Sequence, residues 1–250
     1  MAVLKVEGVS KSFDSEKIIE NISLELHEGE IVSLLGVSGG GKTTLFNIIA
    51  GLSQPDSGSV WLDGEEVTGQ PGHVSYMLQK DLLLTYRTIL DNVALPLIVK
   101  GIKKKEAREI AAPYFAEFGL EGTEKKYPAQ LSGGMKQRAA LLRTYLFSNK
   151  VALLDEPFSA LDMLTKQTMH EWYLNVMEKI QLSTIFITHD IDEAILLSDR
   201  IYLLTGKPGK ITKEIVIGKS KPRRKDFHLT EEFLQYKRDV LSHLIKIELN

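Results

Sequence analysis

The stretch that decides the fold is Gly36-Val37-Ser38-Gly39-Gly40-Gly41-Lys42-Thr43, which fits the pattern G-x-x-x-x-G-K-[ST]. Just before it, Ile31-Val32-Ser33-Leu34-Leu35 is an apolar run of strand length. Just after it, Leu45–Leu52 has helical spacing and stops at Gly51 and Pro55. A strand that enters a helix through such a loop turns successive N–H groups inward and makes a nest for phosphate oxygens. The helix start near Gly41 adds the positive end of its dipole. In this pattern Lys42 reaches the β and γ phosphates and the Thr43 hydroxyl is placed for Mg2+. Three successive glycines are costly to order, which a loop that only connects would not need.

Working outward, Val3–Val6, Ile22–Leu26, Val60-Trp61-Leu62 and Val74–Met77 read as strands. Strand patterns resume at Val151–Leu154, Thr184–Thr188 and Arg200–Leu204, with helical patterns at Leu164–Ile180 and Ile191–Leu197 between them. Strands that alternate with helices imply crossover units and a mainly parallel sheet, hence an α/β fold. Between about 87 and 146 the pattern is helical, and it reads as an insertion. Ile102–Phe118 is expected to be one helix carrying Ala107, Ile110, Ala111, Tyr114, Phe115 and Phe118 on its apolar side; Met135–Phe147 is expected to be another. Leu229–Ile247 reads as a terminal amphipathic helix capped by Thr230, with a stripe of Phe233, Val240, Leu241 and Leu244. The basic run Lys221–Lys225 reads as a solvated connector rather than as a lipid or nucleic-acid contact. The expected division is a domain over 1–220 and an appended segment over 221–250.

Composition narrows the function classes. The chain has 250 residues, 43% hydrophobic and 26% charged, which suits a globular core and argues against disorder. Its formal net charge of −2 gives no global pull toward nucleic acid, and none is expected as a partner. With 0 Cys, disulfide scaffolds and cysteine zinc sites are excluded. No apolar run approaches the roughly 18 residues that span a bilayer. The start, Met1 to Glu7, lacks the basic residues and long apolar core of a secretory leader, so the chain is expected to stay where it is made.

A second site is signalled where the apolar strand Val151–Leu154 ends in Asp155 and Glu156. In α/β sheets ligands gather at the carboxyl ends of strands. Asp155 suits a carboxylate near Mg2+, and Glu156 is then free to polarise an attacking water. Paired acids at a strand end also serve as plain helix caps, and on their own the two readings are even. Five histidines, His27, His73, His170, His228 and His243, have neither metal-ligand spacing nor catalytic context and read as structural.

Leu131-Ser132-Gly133-Gly134-Met135-Lys136-Gln137-Arg138 resembles the signature motif of the ABC-type ATPases, the nucleotide-binding subunits of ATP-binding-cassette transporters. The match runs from Phe13 to about Leu204 in family order. It implies a P-loop NTPase fold with an antiparallel β subdomain and an inserted α-helical subdomain. Gln79 lies at the family's Q-loop, Ser159-Ala160-Leu161-Asp162 resembles its D-loop, and His189 occupies the switch position. The resemblance implies ATP contacts from Phe13 (under adenine), Gly36, Ser38, Gly39, Gly40, Gly41, Lys42, Thr43, Thr44 and Gln79. It implies catalysis by Glu156 and His189, and Mg2+ held by Thr43, Gln79 and Asp155. Ser132-Gly133-Gly134 precedes a helix and is a second potential anion site. One chain with two such sites makes sense if two copies pair head to tail about a two-fold axis. Ser132, Gly133, Gly134 and Asp162 of each then meet the ATP held by the other.

The segment Leu82–Val93, Leu154-Asp155-Glu156-Pro157-Phe158, Asp192-Glu193-Ala194 and Lys207-Pro208-Gly209-Lys210 resemble the importer branch that serves nitrate, sulfonate, taurine and pyrimidine precursors. Thr85-Tyr86 replaces a common Pro-Trp, Ser159 a common Gly, and Arg143-Thr144-Tyr145 departs from a usual Ala-Arg-Ala. The resemblance implies integral membrane permease subunits, a solute-binding protein, and a cytoplasmic place on the inner face of the membrane. Rival readings are an exporter or lipid-extracting subunit, a soluble non-transport ABC ATPase, and a non-enzymatic P-loop module. The last predicts loss of the Glu or the His, and both Glu156 and His189 are present.

Overall fold

The computed structural model describes residues 2–37, 39–148, 150–218 and 226–248, with the backbone alone for 245–248. Two expectations therefore lie outside the described residues: the phosphate contact of Ser38 and the basic run at 221–225. In chain order the elements are β1 (Ala2–Phe13), β2 (Glu16–His27), β3 (Ile31–Leu35), α1 (Lys42–Ile49), β4 (Ser57–Leu62), β5 (Glu65–Glu66) and β6 (Ser75–Met77). The helical stretch follows, with α2 (Ile89–Val93), α3 (Leu95–Val99), α4 (Lys104–Ala111), α5 (Tyr114–Glu117) and α6 (Gly133–Phe147). The chain then runs through β7 (Val151–Asp155), α7 (Met163–Ile180), β8 (Ser183–Thr188), α8 (Ile191–Leu197), β9 (Arg200–Thr205), β10 (Lys210–Val216) and α9 (Glu231–Glu248).

Two sheets result. The six-stranded sheet has the order β10-β9-β3-β8-β7-β6 and is parallel except for β10, an antiparallel edge strand on β9. The second sheet, β2-β1-β4-β5, is antiparallel throughout. Side chains of a strand alternate between its two faces, and β7 shows the result. Val151 and Leu153 join the core shared with β1, β2 and α1, whereas Ala152 and Leu154 face the core built by α6, α7 and the inserted helices. Both faces of the central sheet are covered, which explains why every residue of β3, β7 and β8 is buried. Among the described residues no helix is long and apolar enough to cross a membrane.

Three expectations need correction. Ile102–Phe118 is not one helix: α4 stops at Ala111 and α5 begins after Pro113. Proline has no N–H for the fourth preceding carbonyl and its ring crowds that carbonyl, so the helix breaks there. Within α4, Ile110 is 39% exposed, outside the core that takes Ala107, Ala111, Phe115 and Phe118. The helix after the loop ends at Ile49 instead of Leu52, where Gly51 adopts a φ of +72°. In α9, capped as expected by Thr230 Oγ1 accepting from the Phe233 N–H at 3.2 Å, Phe233 and Val240 are buried against Leu35, Ile201 and Leu203. Leu241 is exposed and does not share that stripe.

Candidate functional site

The loop between β3 and α1 is built against two other parts of the chain. A Cβ on Gly36 would fall 2.1 Å from the carbonyl oxygen of Leu204, so the loop leaves the sheet where no side chain fits. Gly39 and Gly41 adopt φ of +78° and +89°, in the left-handed region glycine enters freely. Lys42, at the first position of α1, is almost fully buried. Its Nζ donates to the carbonyls of Gly36 at 2.8 Å and Val37 at 2.7 Å. Burial pushes the ammonium below its ordinary value, and the nearby Glu156 and Asp155 carboxylates oppose that shift.

A cavity of about 220 Å³ opens at this loop, lined by Gly39, Gly41, Lys42, Thr43, Thr44, Asp155 and Glu156, with Ile18 and Ile187 as its apolar walls. Asp155 ends β7 and Glu156 follows at a φ of +45°, a strained conformation that turns its carboxylate toward the cavity. Asp155 Oδ2 lies 3.5 Å from Thr43 Oγ1. Burial raises the Asp155 carboxyl above its usual range, as does its neighbour Glu156, while Thr43 and Lys42 hold it down. Glu156 makes contacts to both sides: its Oε2 accepts from Gln79 Nε2 at 3.2 Å, and its Oε1 lies 3.3 Å from His189 Nδ1. Gln79 follows β6, and His189 follows β8. Three neighbouring parallel strands therefore release these three groups at the same end of the sheet.

Other expected residues stand apart from this cavity. Phe13 ends β1 half exposed, with Lys11 Nζ 5.4 Å from its ring centre, and does not line the cavity. Ser132 is exposed and caps α6 by accepting from the Met135 N–H at 3.4 Å. The following glycines lie beside the start of α7: a Cβ on Gly133 would sit 3.5 Å from Leu161, and one on Gly134 3.3 Å from Thr165. Asp162 is exposed and caps α7 through the Thr165 N–H at 3.1 Å. Ser132, Gly133 and Asp162 are exposed along one edge, flanked by Met163 and Leu164, 82% and 73% exposed, while Gly134 is buried behind them. None of the four lines the cavity of their own chain.

The sequence reading missed several neighbours of the site. Gly209, in the β9–β10 turn, backs the loop: its Cβ position is 2.2 Å from the Gly40 carbonyl oxygen. Ile18 reaches the cavity from β2 of the other sheet, a contact no local pattern signals. His170 bonds the buried Glu193 at 3.0 Å, 23 residues along the chain.

With this geometry in place, comparison with known proteins is direct. The family model described as ABC transporter matches residues 19–159. The formylaminopyrimidine import ATP-binding protein ThiZ of Halalkalibacterium halodurans is 49% identical over 207 residues, 82% of this chain and 81% of that protein. The nitrate import ATP-binding protein NrtD of Synechocystis is 38% identical, over 90% of this chain and 87% of that protein. A solved dimeric ATP-binding cassette, in a post-hydrolysis state bound to ADP and Pi, superposes with a TM-score of 0.72 at 30% identity, covering 87% of this chain and 100% of that one.

Proposed function

The chain belongs to the ABC transporter family of ATP-binding proteins and is an ATPase, and from that premise we propose that it drives an importer for a small solute. One observation carries the reading: Glu156 faces the phosphate-loop cavity with Gln79 on one carboxylate oxygen and His189 beside the other.

ATP phosphates enter the nest of loop N–H groups, and Lys42 exchanges its two loop carbonyls for phosphate oxygens. Glu156 accepts a hydrogen bond from an attacking water and so polarises it, while His189 holds that water and the γ-phosphate in line. The strained backbone at Glu156 keeps the carboxylate aimed before substrate arrives. Thr43 Oγ1, Asp155 Oδ2 and the Gln79 side-chain oxygen are hard oxygen donors of the kind Mg2+ takes, so the residues fit that ion. When bound, Mg2+ supplies neutralisation of phosphate charge.

The exposed edge of Ser132, Gly133 and Asp162, with Gly134 buried behind it, lies apart from its own cavity, which supports a two-fold dimer in which this edge closes the partner's ATP site. Hydrolysis then releases the pair, and the Gln79 segment and inserted helices carry that motion outward. A second cleft of about 380 Å³, lined by Leu52, Pro71, Tyr76, Pro96, Arg143 and Phe147, supports docking of an integral membrane permease between α1 and the insertion. The chain then works at the cytoplasmic face of the membrane, peripherally through that permease. In this reading 1–220 is the cassette, with its helical part at about 87–146, and 221–250 is an appendage.

The solute class is a small anion of the nitrate, sulfonate or taurine kind, or a pyrimidine precursor. It is selected by the permease and a solute-binding protein, not by this chain. The test is purification from native membranes in non-hydrolysable nucleotide. A co-purifying permease whose reconstituted vesicles take up one of these solutes on ATP supports the reading; the absence of any integral membrane protein overturns it.

A further inference from the structure

Glu193 is a carboxylate only 3% exposed, and such a group is tolerated only with partners. Its Oε1 lies 3.0 Å from His170 Nε2 and 3.5 Å from Lys166 Nζ, and its Oε2 accepts from the Thr188 hydroxyl. Lys166 Nζ also lies 2.7 Å from Asp190 Oδ2. The Asp190 N–H donates to Thr188 Oγ1 at 3.0 Å, and Asp190 Oδ1 accepts from the N–H groups of Asp192 and Glu193. Both neighbours of His189 are thus pinned, while the His189 side chain itself stays 62% exposed beside Glu156.

Two of these partners, Lys166 and His170, come from α7. Asp162, Lys166 and His170 are four residues apart and share one helix face. Asp162 caps that helix, and its carbonyl accepts the Lys166 N–H at 2.8 Å. The first two turns of α7 therefore form one rigid piece with the exposed Asp162 at one end and the flanks of His189 at the other.

We infer that Lys166 is a positioning residue for hydrolysis, tying the helix turn that begins at Asp162 to Asp190 and Glu193 and so setting His189 against Glu156. This rests on the role proposed above for His189, and the test separates the two.

Full-length variants are compared by steady-state ATP hydrolysis. Lys166→Met is expected to lower kcat about tenfold with KM for ATP within about twofold, the scale of a coupling carried through a packed network. Lys166→Arg, which keeps a cation, recovers most of the loss. In a His189→Ala background Lys166→Met costs less than about twofold more, because the group it positions is gone. Asp190→Asn breaks the shorter arm from the other side and must show the same kcat loss and the same non-additivity, which keeps the test decisive if Lys166→Met does not fold. Wild-type kcat in both variants, or equal losses with and without His189, overturns the inference. An unchanged kcat in His189→Ala alone overturns the proposed role of His189 and the inference with it. Loss in His189→Ala beside none in Lys166→Met and Asp190→Asn overturns the tie only.

Discussion

Gln79 and Glu156 meet across the mouth of the phosphate-loop cavity, the amide Nε2 of one donating to Oε2 of the other at 3.2 Å. The contact links the segment leading into the helical insertion with the end of β7. It holds one oxygen of Glu156, while His189 Nδ1 stands 3.3 Å from the other. A carboxylate held this way has lost rotamer freedom before any substrate binds, which lowers the cost of aligning a water.

Replacing Glu156 by Gln keeps the shape and removes the charge. ATP binding is expected to persist, while turnover falls ~10²-fold or more, the scale of losing one preorganised group. Single-turnover phosphate release beside a nucleotide-binding titration checks this. Turnover like the parent chain would assign the water to another residue.

Lys42 gives a different signature. Its ammonium is satisfied by the Gly36 and Val37 carbonyls and is buried at the base of the loop. Lys42→Met removes the charge that phosphate would take over. ATP affinity is expected to drop about 10- to 100-fold, in the range of a charge-assisted bond of ~1.5–3 kcal/mol. Equilibrium binding of a fluorescent ATP analogue, read with thermal unfolding to confirm the fold, is the measurement.

The β9–β10 turn reaches this same loop, and the contact is steric. Gly209 is fixed on both sides: its N–H donates to Ile18 O at 2.8 Å, and its carbonyl accepts from the Glu20 N–H at 3.0 Å. A methyl group there meets the Gly40 carbonyl at 2.2 Å, so the phosphate loop must move. Gly209→Ala is expected to weaken ATP binding about five- to tenfold, corresponding to ~1 kcal/mol, the low end of overpacking costs. Gly218→Ala is the control, since its Cβ would meet only the Tyr236 hydroxyl at 3.5 Å. Equal effects in both variants would remove the steric explanation.

What the chain announces in advance follows from the range of the forces involved. The phosphate loop is legible because the glycines, Lys42 and Thr43 act through a local backbone turn whose flanking strand and helix are also local. The strands β3, β7 and β8 are legible because burial on both faces leaves no polar alternation to confuse. Pro113 was legible too: its effect on 102–118 is a local steric rule, and the apolar spacing masked it. His170 was not, because its meaning depends on Glu193 being folded against it from α8. The same holds for Gly209, which looks like an ordinary turn glycine until the sheet brings it to Gly40. Leu241 satisfied the helical stripe in sequence, but α9 meets the body along a line through Phe233 and Val240 that leaves it outside.

The inserted helices carry an ion pair whose pH dependence is predictable in sign. Asp91 on α2 is mostly buried, and its two oxygens each accept from Arg108 on α4 at 2.8 Å, with Lys104 Nζ a further 3.5 Å contact. The Arg108 hydrogen bonds outweigh burial and hold the Asp91 carboxyl below its ordinary 3.8. A carboxyl depressed by folding stabilises the fold above its unfolded value, and that stabilisation fades as pH falls through the folded one. Asp91→Asn is therefore expected to cost about 1–2 kcal/mol at pH 7, well under a fully buried pair because Arg108 is 41% exposed to screening solvent. The gap between variant and parent should narrow as pH drops below about 4, where the unfolded parent begins to protonate Asp91 while the folded form still resists it. Urea unfolding at pH 7 and at pH 3.5 reads both values; a gap that stays constant would mean that Asp91 stabilises the α2–α4 contact by shape and not by charge.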